Sequence, residues 1–161
     1  MRSVIKGRRI VEDSWQHLAD AAELPAGPAI VSLARWKRER ETLAARGEPV
    51  GVRLPNTADV AELAGDLPEL AVVALEFPKF ADGRAYSQAR LLRERWRYRG
   101  EIRAVGDVLR DQLFFMARSG FDAFELRADR SLEDALTAFG EFSESYQPAV
   151  DQPQPLYRRL R

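Results

Sequence analysis

The chain has 161 residues, 45% apolar and 31% charged, with 25 basic and 25 acidic side chains, so its formal net charge is zero. That length suits one domain around one core, and the charge balance argues against a protein that grips nucleic acid through many unpaired phosphate contacts. With no cysteine and one histidine, His17, the chain has no disulfide, thiol nucleophile, Cys-ligated iron–sulfur cluster or histidine metal cluster.

Of the basic residues 22 are Arg and only Lys6, Lys37 and Lys79 are Lys, which favours planar forks suited to carboxylates and oxyanions. The opening MRSVIKGRRIVEDSWQ lacks the apolar run of a signal peptide, and no stretch approaches a membrane span. The expectation is a cytoplasmic protein that binds neither nucleic acid nor membrane.

In chain order, SVIKGRRIVED predicts a small hairpin about Gly7, and LPAGP at 24–28 then punctuates the chain. AIVSL (29–33) reads as a strand, with Ser32 starting a helix that stops at Gly47. PVGVRL (49–54) is the next strand, followed by a helix capped at Asn56 and running to about Leu63. LAVVALEF (70–77) is the clearest strand, its apolar run fitting a parallel strand buried on both faces. A helix over 84–98 places Ala85, Ala89, Leu92 and Trp96 on one stripe.

IRAV (102–105) is a further strand, and GDVLRDQLFFMARSGF a helix capped by Asp107 and ended by Gly120. AFEL (123–126) is the fifth strand, and SLED at 131–134 has capping-box spacing before a last helix to about Phe142. Strands alternating with helices give an α/β fold: a mainly parallel five-stranded sheet of βα units, open or partial-barrel-like, with a small N-terminal hairpin. Residues 1–147 form the single domain, and 148–161 a Pro-rich tail.

In such folds ligands meet the loops after the strands, where Asn56, Glu76, Glu125 and Arg127 join the main candidates. EFPKFADGR follows the strongest strand, and its Lys79 and Arg84 flank an Asp82-Gly83 turn, a setting for an anion or a partner carboxylate. Asp82 equally serves as a helix cap, and Tyr86 reads either as a hydroxyl donor or as a half-buried helix residue. Asp107, Arg110 and Asp111 share one turn, again as a polar ligand contact or as a cap with a surface ion pair. Arg90, Arg93 and Arg97 line a helix face that is either solvated or a partner surface. His17 reads as a packing or surface residue rather than a proton carrier. Phe114 and Phe115 point to adjacent faces of one helix, which leaves a homodimer through that helix as an expectation.

The phrases FPKFADGRAYSQARLLRER, GEIRAVGDVLRDQ and GFDAFEL, within residues 75–126, resemble the DUF934 family of bacterial proteins, described as probable oxidoreductases or accessory proteins of sulfite reduction. The resemblance implies a place in sulfur assimilation, with sulfite reductase or another enzyme of that process as partner. It carries no catalytic residue or cofactor with it. Two readings stay open: an accessory or partner protein in assimilatory sulfite reduction, or a small oxidoreductase with an oxyanion, nicotinamide or flavin ligand at the strand ends.

Overall fold

A computed structural model describes residues 2–78, 83–126 and 131–141. The Pro-rich tail lies outside the described residues. Among the described residues there are eight strands: β1 (Arg2–Lys6), β2 (Arg9–Asp13), β3 (Gln16–His17), β4 (Ala29–Ser32), β5 (Val50–Leu54), β6 (Val72–Phe77), β7 (Glu101–Gly106) and β8 (Ala123–Phe124). The helices are α1 (Leu33–Ala45), α2 (Arg84–Glu94), α3 (Leu113–Ser119) and α4 (Leu132–Glu141). None of them is long and apolar enough to cross a membrane.

All eight strands join one sheet in the order β2-β1-β8-β7-β6-β5-β4-β3. From β3 to β8 every neighbouring pair is parallel, and β1 adds an antiparallel hairpin to β8. From β3 to β8, strands that follow one another in the chain thus lie side by side. Such a sheet never reverses its winding, so right-handed crossovers put every helix on the same face. The alternative with helices on both faces is thereby removed, and the fold is a curled half-barrel.

The predicted hairpin and all five predicted strands are present, and the two-residue β3 extends the parallel set. Ser32 caps α1 by accepting from the Arg35 backbone N–H, and Gly120 ends α3 in the left-handed region at φ 119°. Ser131 accepts from the Asp134 backbone N–H at the start of α4. Three local expectations change. Asn56 is not a helix cap: the segment Val60–Leu63 is a short 3₁₀ turn capped by Asp59. α2 ends at Glu94 rather than 98, before Arg97 at φ 56°. Asp107 does not cap α3, because a 3₁₀ turn over Arg110–Gln112 precedes that helix.

Strand alternation divides the sheet cleanly. Val31, Val52, Leu54, Val73, Leu75, Ile102, Ala104 and Phe124 face the helices, where they pack with Trp36, Leu43, Ala89, Leu92 and Met116 into the main core. The opposite face carries a separate small apolar patch of Ile30, Val72, Ala74 and Val105. Beside that patch the same face carries the charged side chains of Arg53, Glu76, Glu101 and Arg103.

Gly51 sits in the middle of that opposite face, between Ile30 and Val72 in register. A Cβ there would lie 2.8 Å from the Val72 carbonyl oxygen and 2.9 Å from its Cβ. The curl crowds the inner face, and only glycine fits.

Candidate functional site

β3 and β8 stand five strand spacings apart, about 24 Å across a flat sheet. Yet His17 Nε2 on β3 lies 2.8 Å from Glu125 Oε2, just past β8. The sheet is therefore strongly curled, and side chains from distant strands meet inside the curve.

The register explains which residues meet. Arg53 pairs with Ala74 and Ala74 with Arg103, while Arg103 pairs with Ala123. Residues two further along, Glu76 and Glu125, share that face. His17 joins through Ile30 and Gly51, the latter two residues before Arg53.

Arg103 is the centre, 1% exposed. Its Nε donates to Glu101 Oε2 at 2.6 Å, and its Nη1 donates to Glu125 Oε2 at 2.7 Å and Asp13 Oδ2 at 3.1 Å. Lys6 also holds Glu101 at 3.0 Å and Arg2 holds Asp13 at 2.7 Å. A buried guanidinium is tolerated only when carboxylates surround it. Burial works against its charge, but Glu101, Glu125 and Asp13 outweigh burial and hold Arg103 still more firmly protonated than usual.

Burial likewise pushes the Glu125 carboxyl up, but the hydrogen bonds from His17 and Arg103 prevail and hold it at about 2. Glu125 is thus a fixed negative charge that orients His17. On the other side of the imidazole, Arg53 Nη1 lies 3.3 Å from His17 Nδ1. A guanidinium can only donate, so Nδ1 accepts there and Nε2–H donates to Glu125. Arg53 Nε in turn pairs with Glu76 Oε2 at 3.0 Å.

These groups border a cleft of about 330 Å³, with His17, Arg53, Glu76 and Glu125 as its polar wall and Phe77, Pro78, Val105 and Gly106 as the rest. It opens at the carboxyl ends of the parallel strands. Gly106 stands at φ 95°, where a Cβ would meet the Phe77 carbonyl oxygen at 2.7 Å. That same oxygen accepts from the Asp107 backbone N–H at 2.7 Å, so the β6 and β7 exits are locked together at the cleft wall. Among the described residues no group of three or more His, Asp or Glu is arranged to hold a metal ion.

The family model that matches the chain, over residues 51–157, is that of a bacterial protein of unknown function, DUF934. The chain belongs to the DUF934 family. No curated protein matches it, and neither does any solved structure. In this DUF934 protein the matched region supplies Arg53, Glu76, Glu101, Arg103 and Glu125, whereas Asp13 and His17 precede it.

Of the residues the sequence singled out, Glu76 and Glu125 line the cleft and Asp107 stands beside its Gly106 wall. Lys79, Phe80, Asp82 and Arg127 lie outside the described residues. Arg84 begins α2. Tyr86 packs edge-on against Phe77 at 5.3 Å and Phe121 at 6.4 Å, and burial raises its hydroxyl pKa. Arg90 is exposed on α2. Arg110 reaches α4, donating to the Asp134 carbonyl and to Thr137 Oγ1, with Asp111 exposed beside it.

Arg93 departs from the surface row expected of it: it donates to the carbonyls of Tyr98, Gly100 and Gly120 and fastens the α2–β7 connection. Phe114 is buried and Phe115 is 52% exposed. Asn56 is buried in the loop after β5, whose Pro55 carbonyl accepts from Gln88.

Sequence reasoning missed His17, Arg53, Arg103, Asp13 and Glu101. A signal was present. Arg53, Glu76, Glu101 and Arg103 alternate with apolar residues in central parallel strands, which a sheet covered by helices on both faces could not accommodate.

Proposed function

We propose that this DUF934 protein is a partner protein in assimilatory sulfite reduction that holds a small polar ligand in the rim cleft. The observation that carries the binding role is the convergence of ionisable side chains from four strand ends, His17, Arg53, Glu76 and Glu125, on one cleft. Each is held by a charged neighbour, which is the pre-organisation a ligand site needs. The volume is at the small end of the range for ligand pockets, about 300–1,000 Å³, and fits a compact metabolite rather than a whole dinucleotide.

The metabolic setting comes from the resemblance carried by FPKFADGRAYSQARLLRER and its companion phrases. A chain without cysteine cannot ligate an iron–sulfur cluster through thiolates, so in this reading the reductive centre belongs to the partner. The test is a pull-down of cognate sulfite reductase by the tagged chain, with sulfide production measured with and without it. Association, or a change in sulfide output, is expected; neither occurring contradicts the partnership.

A second reading, a small oxidoreductase with an oxyanion, nicotinamide or flavin ligand at the same rim, is favoured by the His17–Glu125 pair. A carboxylate-oriented imidazole bordering a cleft is suited to proton transfer. Absorbance spectra during titration with flavin and NADPH decide it: a bound-cofactor spectrum supports catalysis, and unchanged spectra contradict a redox role.

A further inference from the structure

The polar wall of the cleft has an unusual charge composition for an anion site. Among the described residues it presents one guanidinium, Arg53, against two carboxylates, Glu76 and Glu125. Arg103 stands behind Glu125 and already serves three carboxylates at 2.6, 2.7 and 3.1 Å.

An incoming sulfite or sulfate that took Arg53 would displace Glu76 and leave both carboxylates facing a second negative charge. Like charges this close in a partly desolvated site oppose binding. A simple amine would meet the reverse problem, drawing Glu76 away and leaving Arg53 unpaired.

We propose that the cleft selects a zwitterion, a compact molecule carrying an ammonium group and an acid group on one short skeleton. This rests on the ligand-binding reading above and names its ligand class. Such a molecule inserts into the Arg53–Glu76 pair without changing the charge of the site. Its acid end replaces Glu76 on the guanidinium, and its ammonium end takes the released Glu76 carboxylate.

Three features support the insertion. The Arg53 and Glu76 side chains are 24% and 35% exposed, so the pair that must open is partly solvated and weak. His17 Nδ1, which accepts from Arg53 at 3.3 Å, becomes a second acceptor for the ammonium once Arg53 turns to the ligand. The Glu125 bond on Nε2 keeps the ring in place meanwhile. Phe77, Pro78 and Val105 supply an apolar wall for the carbon skeleton.

The experiment is a ¹H–¹⁵N NMR titration of the full chain with a panel of L-α-amino acids, their deaminated and decarboxylated counterparts, sulfite and sulfate. At least one amino acid is expected to bind about tenfold or more tightly than either counterpart and than both inorganic anions, as befits a lost charge-assisted bond. Glu76→Gln should weaken the amino acid about tenfold and strengthen sulfite or sulfate, and both Arg53→Gln and Arg53→Lys should weaken the amino acid. Sulfite or sulfate binding as tightly as any amino acid to the unaltered protein would overturn the zwitterion while leaving the cleft a ligand site. No shift at cleft residues with any probe would overturn both.

Discussion

Replacing Arg103 by Met removes the cation at the centre of the curled sheet while keeping a side chain of similar length. The three carboxylates left behind, on Glu101, Glu125 and Asp13, have side chains only 6%, 17% and 1% exposed. Breaking a buried charge pair from one side costs about 3–5 kcal/mol. Three separate losses do not add here, because Lys6 still meets Glu101, Arg2 still meets Asp13 and His17 still meets Glu125. The expected loss is therefore about 3–5 kcal/mol in total, a large share of the roughly 5–15 kcal/mol that stabilises a domain.

The pH dependence identifies the cause. Carboxylates buried without their cation bind protons more readily folded than unfolded, so the variant should gain stability as pH falls from 7 to 5. In the unaltered protein the cluster supplies no such gain, because its Glu125 pKa is depressed and that contribution is complete above the ordinary value of 4.5; any gain from Asp122, whose pKa burial raises, is common to both proteins. Urea unfolding of both proteins at pH 7 and pH 5 measures this. A loss under about 1 kcal/mol at pH 7, or one unchanged at pH 5, would refute the buried charge cluster.

Three further expectations follow from single contacts. Below pH 4.5 the unaltered protein should lose about 3 kcal/mol as Glu125 is protonated on the way to its folded value of about 2. Asp122, whose pKa burial raises, acts in the opposite sense; urea midpoints of Glu125→Gln across pH 2–5 isolate the Glu125 share, and an unchanged acid slope would contradict it. Gly106→Ala should destabilise by about 1–3 kcal/mol, read from thermal unfolding, because both its φ of 95° and the Phe77 carbonyl oppose a Cβ; full stability would contradict that backbone geometry. Trp36→Phe should cost about 1.5–3 kcal/mol in urea, since Trp36 Nε1 donates to buried Asp66 at 3.0 Å, and a loss below about 0.5 kcal/mol would contradict the bond.

The strands and most helix ends were legible because their signals are local. The run VVALEF, the Ser32 cap and the Gly120 stop depend on neighbours in sequence. β3 was not legible, because Gln16–His17 is two residues long and two residues have no periodicity. His17 acquires its role only when curling brings β8 to it.

The candidate site was legible in part. The rule that ligands meet strand ends led to Glu76 and Glu125, but charge density led towards Arg90, Arg110 and Asp111 on the helix side of the sheet. Density on a helix reports solvent. An arginine in the middle of a core strand, as in EIRAVG, is the stronger indication, because burying it requires partners that only the folded sheet can bring.

The central claim is that the half-barrel curls far enough for β3 to meet the end of β8. His17 is the chain's single histidine, so its ring protons give NMR signals free of overlap from any other imidazole. Recording them in the unaltered protein, in Glu125→Gln and in Arg53→Gln tests the meeting directly. Both substitutions are expected to move the ring resonances while leaving the amide spectrum of the helical layer in place; ring signals that ignore residue 125 would mean that the sheet does not curl that far.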